Sequence, residues 1–254
     1  MKRRRKGIAG LIAALILVLA ADTTMLFIVG MPRLENEFIQ KEWEGIDLLV
    51  KYQENPEMAG WLQVEGTSIN YPVMRGEQYL YRDFSRESSV SGSLFVEDDW
   101  TSADMCTLIY GHNMWMYGTM FNPLHQFADN AFFRRNRQIK FYVIQDEGRS
   151  AEKRTYEILC CSKTSVDKWN YASCQYIGSA EELNRFLSDC KSRAVQKTDA
   201  VFESGQAIVL STCSYHERGG KGRLLLAGSL TSRTGQRKID AHQAKDLNTR
   251  QKTD

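Results

Sequence analysis

The feature that most constrains this fold is a series of short apolar runs, separated by polar and turn-forming segments, across the middle of the chain. The runs are rich in β-branched and aromatic residues together with leucine, a composition typical of β-strands. A domain of short strands has to hide its sheet edges, and a barrel or a sandwich does so. We therefore expect a mainly β architecture, with a hairpin connection at 146–149. The eight predicted strands span 61–64, 69–73, 93–96, 106–110, 139–145, 155–162, 207–212 and 223–230.

Helices are predicted at three places around these strands. Residues 34–54 carry apolar side chains at roughly helical spacing, and the following Pro56 ends the pattern. Late in the chain, Ser179 and Glu182 fit a capping box at the start of a helix. Its predicted apolar face contains Leu183, Phe186, Leu187 and Cys190. One or two short helices are also expected within 121–135.

The first thirty residues predict export from the cytoplasm. Residues 2–6 are all basic, and 7–30 then carry a single charge, Asp22. As a helix this segment is about 36 Å long, enough to cross a bilayer core of roughly 30 Å. Basic residues ahead of it place the N-terminus inside and the body outside. A cleaved signal peptide with its apolar region at 8–20 is the alternative, but apolar residues resume after Asp22, which favours a membrane anchor.

Charge and cysteine usage exclude several classes of function. The net charge is only +2, and five basic residues stand within the first six positions, so the body is close to neutral and no nucleic-acid partner is expected. No Cys-x-x-Cys pair occurs and no histidine lies at zinc-finger spacing, so no metal site is predicted. The cysteines other than Cys213 are Cys106, Cys160, Cys161, Cys174 and Cys190. Six cysteines allow three disulfides outside the cytoplasm, but a domain this long does not need them, and most of the five are interpreted as small buried hydrophobes. Adjacent Cys160 and Cys161 are expected on opposite faces of a strand.

These observations divide the chain into five predicted segments. Residues 1–6 form a basic cytoplasmic segment, 7–30 a transmembrane anchor and 31–58 a helical stalk. Residues 59–230 form the β domain. The remaining segment, 231–254, is polar with few apolar residues, and a disordered or loosely helical tail is expected there.

Among the cysteines, Cys213 differs by its position. It ends an apolar run, and a glycine-rich loop then leads to Arg223, which opens the next run. The two residues are therefore expected to face each other across the mouth of one hairpin. A guanidinium in that position favours the thiolate, because a nearby positive charge lowers the pKa of a thiol.

A nucleophilic cysteine also needs a proton acceptor, and four histidines are available. His112 follows an apolar strand and a glycine, so the end of a rigid element holds it. His216 shares the loop after the cysteine and is the second candidate. His125 falls in a predicted helix and His242 in the tail. On these grounds His112 is the leading candidate for the partner of Cys213.

These residues resemble the class B sortases of Gram-positive bacteria. Residues 108–114 read LIYGHNM, similar to the histidine motif of the family, and 210–213 read LSTC, similar to its TLSTC motif. Arg223 matches the family arginine. Val209 replaces the first threonine of the motif, and Ser214 stands where several relatives have an acidic residue or threonine. Further similarity lies at 61–64, 66–73, 91–95 and 118–121.

The resemblance implies an eight-stranded sortase-type β-barrel, with an N-terminal helix and a helix between late strands, preceded by one transmembrane helix. It also implies transpeptidation at the cell wall. Cys213 would attack an NPxTN-like sorting signal of a surface protein, and a peptidoglycan amine would accept the acyl group. His112 would act as general acid and Arg223 would stabilise the oxyanion. No cofactor is implied, and the predicted substrate-binding residues are Ser211, Thr212 and Tyr215.

Two other functions remain open from the sequence. One is a cysteine peptidase that hydrolyses without transfer, although papain-like enzymes place the cysteine before the histidine and here His112 precedes Cys213. The other is a non-catalytic surface β-barrel, such as a ligand-binding, pilus or adhesin module.

Overall fold

The computed structural model describes residues 48–199, 205–215 and 217–238. Within these ranges the chain forms eleven strands, and each of the eight predicted runs coincides with a strand, the runs at 69–73 and 93–96 beginning one residue early; several strands are longer than predicted. The three strands that the sequence did not predict, β5, β6 and β9, are short and have no apolar run. The strands are β1 (Met58–Val64), β2 (Asn70–Arg75), β3 (Leu94–Val96), β4 (Cys106–Tyr110), β5 (Asn113–Met114), β6 (Thr119–Met120), β7 (Gln138–Gln145), β8 (Ser150–Ser165), β9 (Ala194–Lys197), β10 (Ala207–Cys213) and β11 (Gly222–Lys238).

Eight of these strands close into a barrel. Their order is β11-β10-β4-β3-β2-β1-β7-β8, and β8 pairs back with β11 to complete the ring. Neighbours are antiparallel except for β2–β3 and β4–β10, which are parallel. β9 pairs with residues 160–162 of β8, past the part of β8 that pairs with β7. β5 and β6 form a separate small hairpin. The mainly β, eight-stranded barrel expected from the sequence is therefore confirmed.

The predicted hairpin at 146–149 connects β7 with β8. It is a short 3-10 turn, Asp146–Gly148, in which Asp146, Glu147 and Gly148 all have positive φ, at 51°, 53° and 82°. The left-handed conformation suits glycine but strains the two acidic residues. Ser150 Oγ donates to Asp146 Oδ2 at 2.7 Å and helps to hold the turn.

The predicted disordered tail is wrong for residues 231–238. β11 continues to Lys238, and its second half pairs antiparallel with the first half of β8, from Ser232 opposite Thr155 to Lys238 opposite Ser150. The side chains of 231–234 are exposed, so main-chain pairing rather than side-chain burial orders these four residues. A polar sequence hides such pairing, which is why the predicted domain boundary at 230 falls too early. Residues 239–254 lie outside the described ranges.

At the N-terminal end, the barrel begins at Met58, next to the predicted boundary. The described part of the predicted 34–54 helix is α1, Leu48–Glu54, whose Leu49 packs with Trp61 on the outer surface of the sheet. Predicted segments 1–6 and 7–30, and most of the predicted stalk, lie outside the described residues. None of the described helices is long and apolar enough to cross a membrane.

The predicted capped helix is confirmed as α3, Ala180–Ser192. Ser179 Oγ accepts the Glu182 amide at 3.2 Å, and the Glu182 carboxylate accepts the Gly178 amide at 3.0 Å. The region 121–135 holds a 3-10 helix, Asn122–Ala128, and α2, Asn130–Arg135, as expected. The Asp129 side chain caps α2 by accepting the Phe132 amide at 2.8 Å.

Apolar side chains fill the barrel on one face of the strands and meet α3 on the other. Cys161 belongs to the inner core and Cys160 to the outer one, which confirms that these neighbours face opposite ways. The predicted buried face of α3 is buried in the outer core. The thiols of the outer core are Cys106, Cys160, Cys174 and Cys190. These four thiols and Cys161 are buried, as interpreted from the sequence, and the structure shows all five free of disulfides.

We expect truncation after Leu230 to destabilise the protein, because it removes the second half of β11, which pairs with the first half of β8. Each main-chain hydrogen bond contributes about 1 kcal/mol net, so the free energy of unfolding should fall by about 2 kcal/mol or more. For a protein of this size that lowers the melting temperature by roughly 4–8 °C, which calorimetry can measure. The matched control, truncation after Lys238, should leave it unchanged. Equal melting temperatures for both truncations would contradict an ordered role for 231–238.

Candidate active site

The site is built where two parallel strands end at the same edge of the barrel. β4 and β10 run side by side, and their ladder ends with Tyr110 opposite Ser211. His112 comes two residues after the end of β4, and Cys213 is the last residue of β10. Because parallel strands carry their carboxyl ends to one edge, the structure brings His112 and Cys213 to the same place.

Arg223 joins them from the third strand. It is the direct partner of Cys213 in the antiparallel β10–β11 ladder, and directly opposed residues project from the same face. The guanidinium Nη1 donates to the carbonyls of Gly220 (2.8 Å) and Gly222 (2.9 Å). The Ser214 amide donates to the Gly222 carbonyl at 2.9 Å and closes the mouth of the hairpin. The predicted opposition of Cys213 and Arg223 is therefore confirmed.

All three residues line one groove of about 400 Å³. A space of that size accommodates several residues of an extended peptide or a ligand of comparable bulk. The Cys213 thiol is partly exposed there, unlike the other five thiols. The lining residues are Glu77, Leu80, Tyr81, Phe95, Glu97, Tyr110, Gly111, His112, Tyr171, Ser211, Thr212, Cys213 and Arg223.

The His112 ring is half-buried in the wall of this groove. Its Nε2–H donates to the Leu80 carbonyl at 2.9 Å, which fixes the proton on that nitrogen in the neutral ring. The Tyr81 ring covers it, with ring centroids 5.4 Å apart. Burial lowers the pKa of His112 below its ordinary value of 6.5, and the hydrogen bond to Leu80 offsets part of that change. Burial therefore favours the neutral form of the His112 ring in the resting state.

The three predicted substrate-binding residues are placed differently. Ser211 and Thr212 line the groove, but their hydroxyls already have partners: Ser211 Oγ lies 2.9 Å from Tyr171 Oη, and Thr212 Oγ1 donates to the Gly111 carbonyl at 2.8 Å. Tyr215 is 66% exposed and is not among the lining residues. Tyr171, which the sequence reasoning missed, takes part in the groove from a 3-10 helix far along the chain.

Two polar side chains that the sequence did not single out as site residues contact the main chain of Cys213. The main-chain carbonyl of Cys213 accepts from Asn113 Nδ2 at 3.0 Å and from His125 Nε2 at 3.1 Å. Asn113 follows His112 in the motif, a position that could have drawn attention to it, whereas nothing in the sequence places His125 near the cysteine. The second candidate base, His216, and the tail residue His242 lie outside the described ranges.

The groove is lined by charged side chains of both signs, basic Arg223 and acidic Glu77 and Glu97. Burial raises the pKa of Glu97, and the neighbouring carboxylates of Glu77, Asp99 and Asp98 raise it further. Among the described residues, no group of three or more His, Cys, Asp or Glu side chains is arranged to hold a metal ion.

The comparison of sequences and the comparison of structures both find proteins named sortase B. The chain is 27% identical over 183 residues to "Sortase B" of Staphylococcus aureus, covering 70% of this chain and 69% of that protein. It is 27% identical over 185 residues to "Sortase B" of Listeria monocytogenes, covering 70% and 72%. The crystal structure of Clostridium perfringens sortase B matches with a TM-score of 0.63 and 27% identity, covering 72% of this chain and 98% of that one. No family model matches.

We expect His112 to titrate below 6.5, because burial disfavours the imidazolium, and an NMR titration of labelled histidine can measure this. Replacing Tyr81, which is 61% exposed but covers the ring, by alanine should move the midpoint back up toward 6.5. The matched control is Tyr176→Ala, a tyrosine that is 71% exposed and does not line the groove, and it should change nothing. A midpoint at or above 6.5 in the unaltered protein would contradict the burial argument.

Proposed function

We infer that this chain is a class B sortase, a cysteine transpeptidase, and we propose that it cleaves a sorting signal after threonine and transfers the protein to a cell-wall amine. The observation that carries the proposal is the shared groove of Cys213, His112 and Arg223 at the end of the parallel strands. The similarity to two sortase B relatives over most of their length supports the same reading.

In the first half-reaction, the Cys213 thiolate attacks the threonine carbonyl of the bound signal. A carbon–sulfur bond forms and the carbonyl oxygen becomes an oxyanion. The intermediate collapses when the carbon–nitrogen bond breaks, and His112, as the imidazolium, gives its proton to the leaving amine. The products are a thioester on Cys213, a neutral His112 and a released peptide.

In the second half-reaction, an amine attacks the thioester. The attacking nitrogen loses a proton to His112, the new amide forms, and the Cys213 thiolate leaves. The enzyme thus regains its starting protonation, so the two halves balance. We propose a peptidoglycan cross-bridge or precursor as the source of the amine. Water in place of the amine gives hydrolysis, which is how a peptidase would differ.

Arg223 is suited to the oxyanion because its charge lies opposite the nucleophile on the adjacent strand. At rest, Nη1 makes both hydrogen bonds to main-chain carbonyls, and a guanidinium carries further N–H donors in a fixed plane. We propose that these further donors stabilise the oxyanion when charge develops.

The reactive ion pair is a minority form. With ordinary pKa values, a thiol titrates about two units above imidazole, so only ~1% of such a pair is thiolate–imidazolium. Burial of His112 lowers its pKa and reduces that fraction further. We therefore expect a slow enzyme.

We propose that the catalytic domain acts outside the cell, on a single membrane span at 7–30 with the N-terminus in the cytoplasm. The basic residues before the apolar run support this orientation. Its partners would be surface proteins that carry an NPxTN-like or variant sorting signal. The competing functions are a peptidase without transfer and a non-catalytic surface barrel. The similarity to sortase B relatives favours the transpeptidase over both.

The transfer reaction can be tested with the full-length chain, a panel of sorting-signal peptides and an amine acceptor, with products read by mass spectrometry. Cys213→Ala should abolish the transfer product. His112→Ala should lower kcat by about 10²–10⁴, the range for a general acid. Arg223→Ala should lower it by about 10²–10³, the range for an oxyanion donor.

The control for Arg223 is Arg149→Ala, which removes an exposed arginine from the β7–β8 turn and should leave activity unchanged. Hydrolysed peptide with no amine adduct at any acceptor concentration would identify a peptidase. No cleavage across the panel, together with a Cys213 that a thiol-reactive vinyl sulfone fails to label, would favour a binding module.

We also expect a bell-shaped dependence of kcat/KM on pH, because the active form has lost one of the two protons of the Cys213–His112 pair. Since burial lowers the pKa of His112, the rising limb should have its midpoint below 6.5. The falling limb reports loss of the second proton at higher pH. Steady-state rates from pH 4 to 10 measure both limbs, and a flat profile from pH 5 to 10 would refute the ion-pair mechanism.

A further inference from the structure

We propose that Asn113 and His125 are positioning residues that hold the main-chain carbonyl of the nucleophile and thereby fix Cys213 relative to His112. The inference rests on the proposed transpeptidation, since it assigns these side chains to the geometry of that reaction. Neither residue lines the groove, so both act through Cys213 rather than on the substrate.

The carbonyl of Cys213 lies just beyond the regular pairing of β10 with β4. That ladder ends at Ser211, whose carbonyl still accepts the Gly111 amide at 3.2 Å. Carbonyls two residues apart in a strand point to the same side, so the Cys213 carbonyl points toward the segment after β4. There the side chains of Asn113 (3.0 Å) and His125 (3.1 Å) supply the donors that a strand would otherwise supply.

The same side chains connect the nucleophile to the histidine. Asn113 is the residue directly after His112, is only 8% exposed, and its Oδ1 accepts Asn122 Nδ2 at 2.8 Å. The His112 carbonyl in turn accepts the Phe121 amide at 2.9 Å. Residues 121–125 are therefore bonded to both reacting segments, which makes them a bridge between the base and the nucleophile.

The bridging residues lie on a helix that is packed into the barrel core. Asn122 and His125 belong to the 3-10 helix Asn122–Ala128, and Leu124 and Phe127 of this helix are completely buried in the barrel core. A polar group carried by a packed element is held more accurately than one on a loop. Two donors on one carbonyl fix the peptide plane after Cys213, and hence the direction in which its side chain leaves the backbone.

His125 acts here as a hydrogen-bond donor. A carbonyl only accepts, so Nε2 carries the proton in this contact, and both the neutral and the charged ring provide it. This differs from His112, which has to gain and lose a proton during turnover. A glutamine at position 125 keeps an N–H donor and can therefore replace the histidine in a positioning role.

The test measures kcat and KM for Asn113→Ala, His125→Ala and His125→Gln in the full-length chain. A misplacement of about 1 Å can cost about 10²-fold in rate, so we expect the alanine variants to lower kcat by about 10- to 100-fold. KM should stay within about twofold, because the groove lining is intact. His125→Gln should recover most of the loss. Gln126→Ala, an exposed change on the same 3-10 helix, is the matched control and should have no effect.

A second readout does not depend on turnover. In protein labelled with ¹³C at the cysteine carbonyls, loss of a donor should shift the Cys213 carbonyl resonance upfield in both alanine variants and leave it unchanged in Gln126→Ala. The proposal would be overturned if a folded His125→Ala variant kept its kcat or changed only its KM. It would also be overturned if the Cys213 carbonyl resonance did not shift, or if His125→Gln were as impaired as His125→Ala. An unaltered protein that transfers nothing would refute the proposed function, while the carbonyl shifts would still decide whether these side chains hold Cys213.

Discussion

The site depends on the parallel pairing of β4 with β10. These strands lie far apart in the sequence, and only their parallel alignment places Cys213 and the segment carrying His112 at one edge of the barrel. The site depends on the register of this strand pair as well as on its parallel direction. A slip of one residue would move a strand by about 3.3 Å and turn its side chains to the opposite face. The inner core, which takes Ile208 and Leu210 from β10 and Ile109 from β4, opposes such a slip because it would expose these apolar side chains.

Local features of the chain were predictable from the sequence because local chemistry determines them. The apolar runs of the strands, the Ser179 cap of α3 and the turn between β7 and β8 each follow from a few neighbouring residues. The opposition of Cys213 and Arg223 was equally accessible, since one hairpin connects their strands. The family motifs added His112, which spacing alone favoured without deciding between it and His216.

What the sequence could not reveal depends on contacts between distant segments. The second half of β11 is polar and reads as a tail, yet it pairs with β8 over residues that precede it by some eighty positions, such as Ser232 with Thr155. Tyr171 and His125 reach the site from 3-10 helices that carry no motif. Conversely, Tyr215 stands beside the nucleophile in the sequence but extends into solvent, because the chain leaves β10 immediately after Cys213.

The contrast between the six thiols has a practical consequence for chemistry on this protein. Five are enclosed in the two cores, and only Cys213 opens to the groove. A mild alkylating reagent therefore meets one accessible sulfur per folded molecule, and the amount of reagent consumed counts intact sites directly. The same selectivity provides a single attachment point for a fluorophore, an affinity handle or a covalent inhibitor without removing any other cysteine. Unfolding would add five more reactive sulfurs, so the stoichiometry of modification also reports the integrity of the fold.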